Sequence, residues 1–158
     1  MSSISSRFYR YSVTFLLSCL ISLAYGESFA FSSAVTGTID TTDHFAWSSM
    51  GGWINFLPTG GNVLVTDNQV SGYVWSNNYG WIILQPVGAG VTNDGEGHLH
   101  GYGWGTNTGW IDFSGVTIDS NGYFNGYASS TILGVVNFTC ANTHSCVSSN
   151  FKVRTDWR

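Results

Sequence analysis

One short segment of the sequence carries four side chains that are able to bind a metal ion. They occupy every second position: Asp94, Glu96, His98 and His100. An unbroken β-strand would place all four on one face, and imidazole with carboxylate is a ligand set that suits transition metals. However, Gly95 and Gly97 lie between them and indicate a turn. The pattern therefore favours a solvated hairpin face, predicts no cofactor, and leaves His98 and His100 as weak candidate metal ligands.

Single acids recur at intervals of 25 to 27 residues along the chain. They are Asp40, Asp67, Asp94 and Asp119. A calcium loop needs several carboxylates close together in the sequence, whereas each of these acids stands apart from the others. Aspartate is also a preferred turn residue, because its side chain accepts hydrogen bonds from the nearby backbone. We interpret these acids as turn residues.

Catalysis would need a cluster of unlike reactive side chains. Among the carboxylates of the sequence, Asp112 is the best candidate for a catalytic role. It belongs to one of four similar segments of the chain, and the corresponding positions of the other three hold Asn55, Ile83 and Asn137. No Ser–His–Asp or Cys–His arrangement stands out beside it. The sequence therefore predicts that the protein is not an enzyme.

Two cysteines near the C-terminus, Cys140 and Cys146, enclose a short loop. In an oxidising compartment a disulfide between them is the natural outcome. The alternative is a metal site formed by both thiols and His144, which lies between them. Because this set is one ligand short of a closed zinc site, we predict the disulfide.

Residues 1–26 have the pattern of a secretory signal peptide. Two arginines precede a mainly apolar stretch at 11–24, and small residues lie just before a cleavage site at Glu27. The stretch is shorter than the roughly 20 apolar residues that a transmembrane helix needs. Lipidation at Cys19 stays open as an alternative. We predict that 27–158 form a single exported domain with no transmembrane segment.

Self-comparison reveals four similar segments, whose common pattern is Gly-Tyr-x-Trp-x-x-Asn-x-Gly-Trp-Ile-x-Phe. The steps between equivalent positions are 28, 29 and 25 residues. A short Val/Ile-rich piece precedes each segment, and turn residues separate the pieces. The repeats run over about 38–56, 63–84, 91–113 and 116–138, and a disulfide loop and strand follow at 139–158. The pattern predicts an all-β fold of four tandem three-strand repeats built around antiparallel β-hairpins.

Alternation along the strands assigns side chains to two sides of each hairpin. One side holds large apolar residues of the third strands: Ile54, Phe56, Ile82, Leu84, Ile111, Phe113, Val136 and Phe138. Small residues of the second strands join them: Ala46, Val74, Gly103 and Ala128. The opposite side is aromatic. Whether the repeats form a sandwich, a solenoid or a barrel stays open.

The fourth segment has Ser129 and Val135 where the other three have tryptophan. Because both positions change together, we predict that the tryptophans of the other segments pack on each other across the hairpin. We attribute the change to a terminal position in the array, where a repeat has one fewer neighbour.

The aromatic side allows two functional hypotheses. Its candidate ligand-binding or packing residues are Trp47, Trp53, Tyr73, Trp75, Trp81, Tyr102, Trp104 and Trp110. If these rings are buried, they form a core, and the protein is a structural or assembly unit. If they are exposed, a ladder of flat rings suits stacking on sugars, and the protein binds glycans.

The final strand alternates apolar and charged residues. Its candidate assembly residues are Phe151, Lys152, Val153, Arg154, Trp157 and Arg158. It carries every Lys and Arg that follows Glu27, whereas 27–151 hold eight acids and no base. Charges on an edge strand discourage aggregation, but such a strand can also add to a neighbour's sheet and propagate a filament or surface layer. We favour the second interpretation.

The repeated pattern resembles that of bacterial exported proteins with tandem repeats of this type, over most of 38–158. The resemblance implies a secreted, extracellular or cell-surface protein and supplies no catalytic residues. Charged residues make up only 9% and aromatic residues 16% of the chain, which excludes a disordered protein. A net charge of −4 argues against a nucleic-acid partner. We therefore expect a structural protein of a surface or matrix that self-associates, with a carbohydrate-binding module as the alternative.

Overall fold

The computed structural model describes residues 36–157. The predicted signal peptide, the candidate lipidation site at Cys19 and the last residue of the candidate assembly strand, Arg158, lie outside the described residues. The strands are β1 (Gly37–Ser48), β2 (Gly52–Asn55), β3 (Leu64–Val65), β4 (Gln69–Ser71), β5 (Tyr73–Ser76), β6 (Gly80–Ile83), β7 (Val91–Asn93), β8 (Leu99–Gly105), β9 (Gly109–Asp112), β10 (Val116–Ile118), β11 (Phe124–Ser130), β12 (Gly134–Asn137) and β13 (Val153–Thr155). A 3₁₀ turn, η1, spans Cys140–Thr143. Within the described part of the chain, no helix has the length and apolar character needed to cross a membrane.

Eight of the strands close into an antiparallel barrel, in the order β1–β2–β5–β6–β8–β9–β11–β12 and back to β1. The closing contact pairs Trp47 of β1 with Asn137 of β12. The predicted all-β class is therefore confirmed, and the chain forms a barrel. Because β11 and β12 both have neighbours on each side, the fourth segment is not terminal in the fold. Our explanation of its altered residues by a missing neighbour is wrong.

The five remaining strands extend the sheet beyond one end of the barrel. There β3 pairs with β1 and β4, β4 pairs with β7, and β7 pairs with the first half of β8. At the same end of the barrel, β10 pairs with the first half of β11, and β13 pairs with the first half of β1. The long strands β1, β8 and β11 thus contribute to both the barrel and its extension.

Two of these long strands change direction at a glycine. Gly101 in β8 has φ 81° and Gly126 in β11 has φ 79°, a conformation that side chains with a Cβ rarely adopt. A Cβ at Gly101 would lie 2.0 Å from the carbonyl oxygen of Gly90, and one at Gly126 would lie 2.1 Å from that of Gly115. Glycine is therefore required at both positions by the backbone conformation and by the close approach of the backbone that leads into β7 or β10.

The barrel interior is filled by the apolar side that the alternation predicted. Large side chains of the third strands and small residues of the second strands are all buried there, and this assignment is confirmed. Just past the end of β12, Phe138 packs on three other phenylalanines, with its ring centroid 5.5 Å from Phe56, 5.7 Å from Phe124 and 6.1 Å from Phe113. Each such burial contributes about 1.5–3 kcal/mol, so this cluster adds substantially to the stability of the fold.

The predicted assembly strand is paired within its own chain. In β13, Val153 lies opposite His44 and Thr155 lies opposite Ile39. Val153 is fully buried and Trp157 is 2% exposed. The indole Nε1 of Trp157 donates a hydrogen bond to Asp67 Oδ1 at 2.9 Å.

The basic side chains of this strand also find partners within the chain. Arg154 Nη1 lies 3.5 Å from Asp40 Oδ2, and its Nε donates to the carbonyl of Asn121 at 3.0 Å. Lys152 and Arg154 lie over the ring of Tyr123, at 5.2 and 5.4 Å from its centroid. Donation of this strand to another chain would first have to break these contacts, and assembly through it stays a prediction.

Gly126→Ala should destabilise the protein far more than Gly109→Ala. Gly109 also has a positive φ, 63°, but a Cβ there meets nothing within 4 Å. We expect a loss of about 1 kcal/mol at Gly109, from backbone strain alone, and a clearly larger loss at Gly126, where the Cβ must also displace the backbone of Gly115. Thermal unfolding of both variants measures the difference. Equal losses would contradict the proposed close approach.

Candidate functional site

Three pairs of tryptophans face outward from the barrel. Neighbouring strands place them directly opposite each other: Trp47 with Trp53, Trp75 with Trp81, and Trp104 with Trp110. In the first two pairs the ring centroids lie 4.9 and 5.0 Å apart, with planes inclined by 73° and 69°. This edge-to-face geometry is favourable for aromatic rings. The predicted packing of tryptophan on tryptophan is confirmed for these two pairs.

A second aromatic ring lies diagonally across from one tryptophan of each pair. The combinations are Phe45 with Trp53, Tyr73 with Trp81, and Tyr102 with Trp110. All three have centroids 6.2 Å apart, with planes inclined by 75°, 84° and 76°. The same aromatic arrangement thus occurs three times on the outside of the barrel.

These rings are open to solvent in the single chain. Exposure lies between 37% and 55% for Phe45, Trp53, Tyr73, Trp81, Tyr102, Trp104, Trp110 and Tyr127. Trp47 and Trp75 are half-buried. The aromatic side is therefore an outer surface, and the hypothesis that it forms the core of the single chain is wrong. Each ring still buries about half of its area against its neighbours.

The strand register aligns the outer residues into four rows that run across four strands each. The first row is Trp53–Trp47–Asn137–Tyr127, the second Trp81–Trp75–Asn55–Phe45, the third Trp110–Trp104–Ile83–Tyr73, and the fourth Val135–Ser129–Asp112–Tyr102. Adjacent strands are about 4.8 Å apart, so each row is about 14 Å long. These outer rows are the candidate functional surface.

A groove lies along the fourth row. It is a shallow, open depression with a volume of about 490 Å³. Tyr102 and Trp110 contribute aromatic rings to it, and Asp112 and Ser129 contribute polar groups. Asp112 Oδ1 also accepts a hydrogen bond from the backbone N–H of Ser114 at 2.9 Å.

A second groove, of about 350 Å³, lies where the disulfide loop approaches the first row. The predicted bond between Cys140 and Cys146 is present, so their sulfurs are not available for the alternative metal site. Phe151, at the end of the loop, packs edge-to-face on Trp53 with centroids 5.4 Å apart. Lys152 and Asp43 also line this groove.

The candidate metal cluster forms a hydrogen-bonded turn. Asp94, Glu96 and His98 are exposed and bring ligand atoms within 4.8 Å of one another, and His100 is not in the group. Asp94 Oδ1 accepts the backbone N–H groups of Glu96 and His98, and its Oδ2 lies 2.7 Å from His98 Nδ1. Desolvation acts to raise the pKa of Asp94, but these hydrogen bonds outweigh it and lower the pKa to about 2. The turn interpretation therefore accounts for the cluster.

The other repeated acids also serve the backbone or a neighbouring side chain. Asp40 Oδ1 accepts from the N–H groups of Thr42 and Asp43. Asp119 Oδ1 accepts from the N–H groups two and four residues later. These contacts are those expected of turn aspartates. Asp67 differs, because its carboxylate accepts the indole N–H of Trp157.

Most of the outer aromatic residues could be placed from the sequence, but the residues of the fourth row could not be brought together. In the sequence Asp112 is a lone carboxylate and Ser129 replaces a tryptophan of another segment, whereas the structure pairs them directly. The available signal was that Ser129 departs from the common pattern of the four segments and that Asp112 is the one acid at a variable position of that pattern. Nothing local in the sequence indicates that these two positions are opposite each other.

Comparison with protein-family models, with curated proteins and with solved structures finds no match for this chain. The function must therefore be argued from the geometry and chemistry of the outer rows and their grooves.

Acrylamide should quench most of the tryptophan fluorescence of the native protein. Six of the seven tryptophans lie in the outer rows, and Trp157 is the buried one, with 2% exposure. We expect a small blue-shifted component that resists quenching, and Trp157→Phe should remove it. Steady-state quenching of the wild type and this variant, with thermal unfolding as a check of folding, measures both. A large protected component that survives in the variant would contradict the outward orientation.

Asp94→Ala should lower the melting temperature near neutral pH but not in strong acid. The pKa of Asp94 in the folded protein is about 2, below its ordinary value of 3.8. The ionised carboxylate therefore stabilises the fold above about pH 4, and this contribution is lost as the pH falls through about 2. Thermal unfolding between pH 6 and pH 2 tests this expectation. A constant difference between wild type and variant over that range would refute it.

Proposed function

We propose that this chain is an exported glycan-binding protein whose outer rows stack on sugar rings. The observation that carries the proposal is the set of half-exposed aromatic pairs, which recur with the same 6.2 Å spacing on the outside of the barrel. The barrel core is filled by a separate set of side chains. The exposed rings are therefore in excess of what the interior needs.

The exposed aromatic rings of the outer rows indicate that a binding partner covers them. Contiguous apolar patches on soluble proteins mark interaction sites or aggregation hazards. An aromatic ring has an electron-rich face, which attracts the weakly positive C–H groups on the flat side of a pyranose. Polar groups beside the rings would hold the sugar hydroxyls. Trp75 already illustrates this proximity, because its Nε1 donates to Asn77 Oδ1 at 2.9 Å.

The charge of the protein restricts the class of glycan. Residues 36–157 carry eight carboxylates against two basic side chains. Both basic side chains are engaged with Tyr123, and one also with Asp40. A polyanionic polysaccharide or a nucleic acid would meet net repulsion. The charge therefore favours neutral or amino sugars.

The four sequence segments are proposed to be copies of one three-strand unit. In three of them a short first strand forms a hairpin with the next strand, as β3 does with β4, β7 with β8 and β10 with β11. In the remaining unit, β1 is joined by β13 from the other end of the chain. The disulfide is consistent with export, because such bonds persist in oxidising compartments.

The second candidate function is a structural role in a surface layer or matrix through self-association. It is favoured by the aromatic rows themselves, because three similar rows offer similar apolar surface in several directions around the barrel. A contact between such rows on different copies would not need to close into a ring and could propagate. In this case a second copy of the chain, instead of a glycan, would cover the rings.

A glycan array that includes neutral, amino and acidic oligosaccharides, together with insoluble polysaccharides, tests the proposal. We expect binding to neutral or amino glycans, and at least a 10-fold loss of affinity in Trp81→Ala. The variant should remain folded, because Trp81 is 47% exposed and its removal should cost less than the about 3–5 kcal/mol lost with a buried indole.

Val147→Ala is the matched control, because Val147 is fully exposed and lies outside the outer rows. Absence of binding to every glycan class would overturn the proposal. Concentration-dependent light scattering that Trp81→Ala abolishes would then favour the structural candidate.

A further inference from the structure

The fourth outer row departs from the other three at three adjacent positions. The other rows begin with two tryptophans and continue with Asn137, Asn55 or Ile83, whereas the fourth has Val135, Ser129 and Asp112. Asp112 is the one carboxylate in the four rows. Removal of two bulky rings and introduction of a charge therefore occur at the same place in the fold.

These departures come from two different segments of the sequence. Asp112 ends β9, and Ser129 lies in β11, where the antiparallel register places the two residues directly opposite each other. The loss of the tryptophan pair in the fourth segment explains Ser129 and Val135 but not an acid in the third segment. Asp112 accepts the N–H of Ser114 as Asn55 accepts that of Leu57, so the turn needs an acceptor there but no negative charge. The charge beside the missing rings is the feature that indicates a binding site.

The missing indoles leave the groove of about 490 Å³. Its lining is mixed in chemistry. The rings of Tyr102 and Trp110, which are 46% and 52% exposed, border Asp112, and Ser129 and Thr131 line the groove beyond it. An exposed aromatic ring beside hydroxyl and carboxylate groups matches a ring molecule that has an apolar face and a polar edge.

We infer that this groove is the principal saccharide subsite of the protein, an inference that rests on the proposed function. A pyranose ring lies with its C–H face on Trp110, with Tyr102 at its edge because the two aromatic planes are inclined by 76°, and it points its hydroxyl groups toward Ser129 and Asp112. The ionised carboxylate of Asp112 is acceptor-only, so the sugar must present donors to it. Charge-assisted hydrogen bonds of this kind are about twice as strong as neutral ones.

The carboxylate also defines the class of sugar that the groove accepts. Neighbouring hydroxyl groups or an ammonium group donate to Asp112, whereas a uronic acid, a sialic acid or a sulfated sugar would bring a second negative charge beside it. The hydrogen bond from Ser114 N to Asp112 Oδ1 at 2.9 Å orients the carboxyl group. We therefore expect neutral and amino sugars to bind, and acidic sugars to be rejected.

The test fills the groove with a tryptophan pair, which the other three rows carry at the equivalent positions. The double variant Ser129→Trp/Val135→Trp restores a tryptophan pair of the kind that packs at 4.9–5.0 Å in the first two rows, so we expect it to fold. On the array of neutral, amino and acidic oligosaccharides, its affinity should fall at least 10-fold. Asp112→Asn keeps the shape of the side chain and its bond from Ser114, and it should also lose about 10-fold while ceasing to discriminate against acidic sugars.

Glu96→Gln is the matched control for the charge, because it removes an exposed carboxylate in the hairpin turn, away from the groove. Wild-type affinity in both groove variants, together with a loss in Trp81→Ala, would overturn the groove assignment and leave the proposed function standing. Failure of the wild type to bind any glycan would overturn both. If the double variant does not fold, Asp112→Asn alone decides, and unchanged affinity and selectivity in it would refute the inference.

Discussion

The interior of an eight-stranded barrel is narrow enough for side chains to fill it completely, and the filled interior of this barrel constrains the rest of the structure. The third strands bring large residues such as Phe113 and Phe138 inward, so the second strands can offer only small ones. At Gly103 even a Cβ would lie 3.3 Å from the ring of Phe113. The tryptophan and tyrosine side chains of the barrel strands have no room in the barrel interior and point outward.

The outward rings are consequently free to serve another purpose. They stabilise one another in edge-to-face contacts, and about half of their surface remains open to solvent. In the fourth row Ser129 replaces a ring and leaves a groove beside Trp110. The same scaffold thus carries both a repeated aromatic surface and one distinct polar site. Asn55 accepts the equivalent backbone hydrogen bond without a charge, so neither packing nor the turn requires the charge of Asp112.

The sequence predicted what depends on local alternation, and it could not predict what depends on closure of the barrel. Residues two apart in a strand share a face, so the sides of each hairpin were correct. The pairing of Trp47 with Asn137 joins positions far apart in the chain, and no local pattern encodes it. The amphipathic pattern around Val153 fits both a free edge strand and the observed partner of β1. The pairing of Ser129 with Asp112 follows from the closed register and was hidden for the same reason.

The most direct test of this account is a spectrum of the indole N–H groups during titration with the glycan that binds best on the array. The seven tryptophans give one signal each. The account predicts that the signal of Trp110 shifts most, that other outer indoles shift less, and that the signal of Trp157 stays in place. Shifts confined to Trp157, or no shift at Trp110 at saturating glycan, would contradict it.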